Sequence, residues 1–153
     1  MTLNGSTYAV VTVTGSDDDE IRNIENVIGT DGNDTIIGDT RVNSFSGGDG
    51  DDTFQGWTGS DTFDGGTGTD LLSYTYSTDG IVVDMGNLTV GYFDIVVGGG
   101  TYTDTATAIE NIDGSFGNDN ITGNASTNVI DGSVGNDTID GAGGDDTLIG
   151  GDG

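Results

Sequence analysis

Glycine returns every ninth residue at Gly29, Gly38, Gly47, Gly56 and Gly65. With each taken as position one, position six reads Asp34, Asn43, Asp52, Asp61 and Asp70, and position eight reads Ile36, Phe45, Phe54, Phe63 and Leu72. A second run opens at Gly114 and continues through Gly123, Gly132, Gly141 and Gly150. Its position six reads Asp119, Asn128, Asp137 and Asp146, and its position eight Ile121, Ile130, Ile139 and Leu148. A fixed period of this kind marks a repeat architecture, in which each unit buries its apolar side chain only against its neighbours. The runs are offset by 85 residues, and "NIENVIGTDGNDTI" at 23–36 matches "AIENIDGSFGNDNI" at 108–121. The chain reads as one module present twice, the second copy truncated. The closing "IGGDG" stops partway through a repeat, so the segment is expected to be a piece of a longer protein.

Six residues of each nonad are turn formers and three are strand formers, as in Thr35-Ile36-Ile37, Thr53-Phe54-Gln55 and Thr62-Phe63-Asp64. Glycine at positions one and four supplies the positive φ angles that a tight loop needs. Side chains alternate along a strand, so position eight points inward while positions seven and nine point out. The expected fold is all-β: a coil of two short parallel sheets, one turn per two nonads, with a thin apolar ladder inside. No helical period is present, and there is no proline. Between the runs, Ile81–Val83, Leu88–Val90 and Ile95–Val97 are short β-branched stretches separated by glycine and asparagine, which read as hairpins. Residues 7–14 read as a last strand before the first run. The predicted organisation is an edge segment at 1–28, a first roll at 29–80, a hairpin-rich link at 81–108 and a second roll at 109–153.

Such a chain is short of its own stabilisation. Hydrophobic residues make up 31% of it, and the formal net charge is −25, with Arg22 and Arg41 the only basic residues. Low hydrophobicity and high charge leave the entropy of ordering unmet. The sign of the charge calls for cations and excludes a nucleic-acid partner, because two arginines cannot neutralise a phosphate backbone. Anionic membranes are disfavoured for the same reason, and no apolar run reaches the roughly 20 residues of a membrane span. Without cysteine or histidine there is no disulfide, thiolate zinc site, imidazole metal site or Ser-His-Asp triad. The first residues lack the basic flank and apolar core of a secretory signal.

With two nonads per coil, the loops stack in files. Asp34, Asp52 and Asp70 share one edge and Asn43 and Asp61 the other; in the second run the files are Asp119 with Asp137 and Asn128 with Asp146. Strands stack about 4.8 Å apart, and carboxylates held that close repel unless a cation lies between them. Oxygen donors alone, from carboxylates and glycine-rich carbonyls, favour a hard cation, and a flexible site favours calcium over magnesium. One turn backward, the register puts Glu25 and Glu110 at position six with Val27 and Ile112 at position eight. One turn forward, it puts Asp79 and Ile81 in those places. These are degenerate edge turns.

The pattern Gly-Gly-x-Gly-x-Asp-x-apolar-x, closest in "GGDGDDTFQ" at 47–55 and "GAGGDDTLI" at 141–149, resembles the RTX (repeat-in-toxin) calcium-binding nonad. The resemblance covers roughly residues 29–72 and 114–153. It implies a right-handed parallel β-roll (β-solenoid) with several calcium ions, roughly three to six, between loops n and n+2. Their ligands would be the position-six side chains and loop residues Gly29, Asp31, Gly47, Asp49, Gly56, Gly65, Gly114, Gly132 and Gly141. It also implies a bacterial protein secreted by a type I system. Asn43 and Asn128 each remove a charge from a file and Trp57 replaces a loop glycine, so those sites should be weaker or differently built.

Competing readings are weaker. An EF-hand fails because "DGDDTF" at 49–54 lacks the glutamate that closes such a loop. Asn-x-Ser/Thr triplets fall inside the nonads and belong to the repeat. Trp57, Tyr74 and Tyr76 read as an aromatic cap, with sugar stacking as the sharper alternative. "SDDDE" at 16–20 reads as a solvated loop. The threonines at position seven reflect β-propensity, an ice-binding face being the remoter reading. The expected function is a calcium-driven folding module of a secreted protein, without catalysis of its own. The alternative is a polysaccharide-binding or adhesion module, and an exposed roll edge leaves edge-to-edge self-association open.

Overall fold

The structure, a computed structural model, describes residues 11–12, 19–22, 25–86, 93–97 and 102–153. Its first strands are β1 (Val11–Thr12), β2 (Asp19–Arg22), β3 (Asn26–Ile28), β4 (Asp34–Ile37), β5 (Ser44–Asp49) and β6 (Thr53–Gln55). Then come β7 (Thr62–Thr67), β8 (Leu71–Ser73), β9 (Ile81–Asp84), β10 (Phe93–Val97) and β11 (Tyr102–Thr107). The last are β12 (Asn111–Asp113), β13 (Asn120–Thr122), β14 (Val129–Asp131), β15 (Thr138–Asp140) and β16 (Thr147–Ile149). Asp19 and Glu20 therefore open a strand, although the sequence reads them as part of a loop; Leu88–Val90 and most of residues 7–14 lie outside the described residues.

Successive strands of each run go alternately to two sheets. One sheet has the order β1-β3-β5-β7-β11-β10-β9-β13-β15 and the other β2-β4-β6-β8-β12-β14-β16. Pairing within the runs is parallel and joins equivalent positions of alternate nonads: Thr35 lies opposite Thr53, Ser44 opposite Thr62, Asn120 opposite Thr138 and Val129 opposite Thr147. One coil is two nonads. The fold is an all-β parallel solenoid.

Three residues per strand leave one inward side chain, and that side chain makes the core. Ile36, Phe54, Leu72, Ile112 and Ile130 form an unbroken buried ladder on the second sheet; Val27, Phe45, Phe63 and Ala106 face them from the first. Phe63 packs tilted against both Phe45 and Phe54, with ring centroids 5.9 Å apart in each pair. The ladder opens at its far end, where Ile139 is half-buried and Leu148 is 48% exposed.

The regular alternation breaks between β8 and β12. The second sheet passes directly from one to the other, while the first inserts three strands, β11, β10 and β9, with β10 antiparallel to both neighbours. β11 continues the first run by pairing parallel with β7, and β9 starts the second by pairing with β13. The first sheet is thus two strands wider than the second at this place. The wider interior is filled by Tyr74, Ile81, Val83, Met85, Ile95, Val97 and Ile109, all buried.

The register here differs from the sequence reading. Val83, not Ile81, pairs with Ile121, and the Ile81 amide occupies the position-six place by donating to Asp119 Oδ1. A slip of two residues keeps the same side chains inward, so Ile81 is still buried. Asp79, however, is exposed in the turn before the strand, where its amide meets Ser77 Oγ.

Candidate metal centre

The position-six side chains are drawn into the coil. Asp34, Asn43, Asp52, Asp61, Asp70, Asp119 and Asn128 are all at most 3% exposed, and Asp137 and Asp146 are half-buried. In Asp52, Asp61, Asp70, Asp119, Asp137 and Asp146 one carboxylate oxygen acts as a rung between turns. Asp52 Oδ1 accepts the Asp34 amide at 2.8 Å, Asp70 Oδ1 the Asp52 amide at 2.8 Å, and Asp61 Oδ1 the Asn43 amide at 2.8 Å. In the second run Asp137 Oδ1 accepts the Asp119 amide and Asp146 Oδ1 the Asn128 amide, each at 2.9 Å. The side chain is thereby held by the neighbouring turn, in the files that the two-nonad coil requires.

The second carboxylate oxygen lies over the position-one glycine. A methyl group on Gly47 would collide with Asp52 Oδ2, and one on Gly29, Gly56, Gly114 or Gly141 with the carboxylate of its own turn. The φ angles correct the sequence reading here. Within the nonads, positive values fall at position two (Gly48, Trp57, Gly66, Ser133, Ala142, Gly151) and position four (Gly50, Gly59, Gly68, Gly135, Gly144), and not at position one; Ala108, just after β11, is the remaining one among the described residues. Position one is glycine for space; position four is glycine for conformation.

These turns with positive φ leave the second oxygen without a donor. Asp52, Asp61, Asp70 and Asp137 each have a buried Oδ2 that no hydrogen bond reaches. A buried carboxylate oxygen left in this way is costly, and burial pushes the carboxyls of Asp52 and Asp70 up to about 6 and that of Asp61 up to about 7. Neighbouring carboxylates add to the effect, Asp70 and Asp34 on Asp52, Glu110 on Asp70, Asp104 on Asp61. Among the described residues no three acidic side chains converge on one point, so a cation here would take most of its ligands from loop carbonyls. The donor set fits calcium: anionic and carbonyl oxygens, with no nitrogen or sulfur.

The other predicted residues fall in less central places. Asp31 and Asp49 at position three face solvent, Asp49 accepting the Thr67 hydroxyl at 2.7 Å. Glu110, half-buried, takes the position-six part for the first file, accepting the Asp70 amide at 2.9 Å. Glu25 is engaged by Arg41, whose Nη1 also meets Asp39, at 3.1 and 3.0 Å. Gly65 and Gly132 sit against Asp70 and Asp137 as the other position-one glycines do.

Asp104 belongs to the set and the nine-residue register does not reach it. It is 1% exposed, its Oδ1 accepts the Asp61 amide at 2.8 Å, and its Oδ2 accepts the Tyr74 hydroxyl at 2.8 Å. Its carboxyl is raised by burial to about 6. The legible signal was the triplet Asp104-Thr105-Ala106, which repeats the Asp-Thr-apolar grammar of the nonads outside their period. Beside this site, Trp57 stacks on Tyr76 with centroids 5.4 Å apart, and Tyr74 is wholly buried.

A parallel solenoid whose turns aim buried carboxylates and loop carbonyls at one another defines a class of oxygen-ligand calcium repeat. The RTX calcium-binding nonapeptide repeat matches four stretches of this chain, residues 23–40, 37–72, 104–139 and 122–153, together more than half of its length. The chain belongs to that family: it is an RTX-type calcium-binding β-solenoid module. Such repeats are typical of secreted bacterial proteins exported by type I systems. Comparison with curated proteins gave no match. Among the described residues no helix is long and apolar enough to cross a membrane.

Proposed function

We propose that this chain is a calcium-driven folding module of a secreted bacterial protein: unfolded where calcium is scarce, folded where it is plentiful, and in that state a stable support for the protein that carries it. The observation that carries this reading is the set of buried, donor-free oxygens on Asp52, Asp61 and Asp70. Without a cation these oxygens are buried with no donor; with one, the same burial becomes favourable coordination. Binding energy is then folding energy. Extracellular calcium modules bind at roughly 10⁻⁴–10⁻³ M, empty in a cytosol and filled outside. A chain at −25 charge that stays unfolded is also easily threaded through an export channel. Two calcium-binding runs, 29–80 and 109–153, would share the work, with position-six carboxylates and loop carbonyls as ligands.

Far-UV circular dichroism tests this. A coil spectrum is expected in chelator and a β spectrum in millimolar calcium, with magnesium a poor substitute. A full β spectrum and a cooperative melt in chelator would overturn it.

A further inference from the structure

The turns are of two kinds, divided by whether the position-two amide reaches the position-six side chain. In the turns opened by Gly29, Gly38, Gly114 and Gly123 the position-two residue has no positive φ, and its amide points inward at the position-six side chain. Thr30 N donates to Asp34 Oδ2 at 2.7 Å, Asp39 N to Asn43 Oδ1 at 3.0 Å, Ser115 N to Asp119 Oδ2 at 2.7 Å and Asn124 N to Asn128 Oδ1 at 3.0 Å. The position-two side chain then closes the turn by accepting the amide of position four: Gly32 on Thr30, Arg41 on Asp39, Gly117 on Ser115 and Ser126 on Asn124. In the turns opened by Gly47, Gly56, Gly65 and Gly132, position two is left-handed, and the position-six Oδ2 is left without a donor. The amides of Ser133 and Ala142 go instead to Asp131 and Asp140 at position nine.

Two further observations fall on the same division. Both position-six asparagines, Asn43 and Asn128, stand in turns of the first kind, and every position-six residue of the second kind is aspartate. The Asn128 amide nitrogen donates to the Glu110 carbonyl at 2.7 Å, so an N–H satisfies a loop carbonyl that a cation would otherwise meet. Beside Asn43, Arg41 stands where the second kind has glycine and bridges Glu25 and Asp39; the chain supplies its own cation there.

Resting on the calcium reading above, we infer that the two opening turns of each run contribute no side-chain ligand to calcium. The ions go to the turns opened by Gly47, Gly56, Gly65, Gly132 and Gly141. Asp34, Asn43, Asp119 and Asn128 are structural caps, satisfied by N–H donors whether or not calcium is present, and each run begins with two turns that need no metal.

Isothermal titration and native mass spectrometry of the whole chain with calcium test this through the number of ions bound. Asp34→Asn should leave that number and the affinity unchanged, since asparagine can accept the same amide, as Asn43 and Asn128 already do; Asp119→Asn, which must give up either the Ser115 or the Ile81 amide, should leave the number unchanged at a cost in stability. Asp52→Asn and Asp137→Asn should lower it. Asn43→Asp and Asn128→Asp should add no ion, and this arm decides the matter even where Asp52→Asn does not fold. Loss of ions in Asp34→Asn or Asp119→Asn, or a gain in Asn43→Asp or Asn128→Asp, overturns the inference while leaving calcium-driven folding intact. A wild-type chain that takes up no calcium instead defeats the folding reading itself.

Discussion

At the scale of the residue, position one and position six are a matched pair. The carboxylate occupies the volume of an absent Cβ, so the glycine and the aspartate cannot be exchanged independently. Gly47→Ala places a methyl group on the Asp52 carboxylate and should cost more than ~3 kcal/mol in calcium. Gly143→Ala, whose methyl would meet nothing closer than 3.8 Å, should stay within about 0.5 kcal/mol. Thermal melts of the two variants in saturating calcium check the contrast; equal losses would mean that the close approach is not what fixes glycine there. The raised carboxyls carry a pH dependence with a definite sign. Asp52, Asp70 and Asp104 titrate near 6 and Asp61 near 7 in the calcium-free fold, against 3.8 for a free side chain. Through that window these four groups bind more protons in the folded chain than in the unfolded one, so their contribution to stability is fully present below about 4 and is lost as pH rises toward 7. In chelator, β-structure should therefore increase on going from pH 8 to pH 5. A circular dichroism titration that is flat, or runs the other way, would refute it.

At the scale of the element, a three-residue strand holds only because its one inward side chain is covered from both sides. Phe54 is wholly buried between Ile36 and Leu72 and against Phe63; Phe54→Ala should cost roughly 3–5 kcal/mol. Leu148 has a neighbour on one side only and is half exposed, so Leu148→Ala should cost well under half of that. Hydrogen exchange in calcium should follow the same gradient, with amides of β6 better protected than those of β16, because local opening is easiest where fewest apolar contacts are lost. Equal protection would show that the outer strand is held by something other than the ladder. The inserted β9–β10–β11 segment obeys a different logic. Its three strands widen one sheet, and Tyr74 fills the added interior with its hydroxyl satisfied by Asp104.

At the scale of the whole molecule, the thin core and the charge of −25 are the ground for the calcium requirement proposed above. A site with a dissociation constant of 10⁻⁴ M in 10⁻³ M calcium contributes about 1.4 kcal/mol. Domain stabilities run to roughly 5–15 kcal/mol, so a single ion cannot hold such a fold and an array can. The melting temperature should accordingly climb steadily across the millimolar calcium range instead of reaching a plateau at one equivalent. Differential scanning calorimetry at increasing calcium checks this. Saturation at a single equivalent would assign the stability to one dominant site.

The nine-residue period by itself determined the parallel solenoid, the two-nonad coil, the position-six files and the inward ladder from Ile36 to Leu148. These follow because equivalent residues meet at a constant separation along the chain, and such contacts are written in the sequence as periodicity. Tertiary structure alone decided what happens where the period fails. The Asp61 amide finds Asp104 across 43 residues, a distance fixed by the inserted strands and by no local rule. The same insertion moved the register at β9 by two residues and set Asp79 aside. It also took the tertiary structure to separate Asp34 from Asp52, which share one motif position. The Thr30 amide turns inward to Asp34, whereas position two of the Asp52 turn is left-handed and no donor reaches Asp52 Oδ2. That difference leaves one aspartate satisfied by the chain and the other with a buried oxygen that no donor reaches.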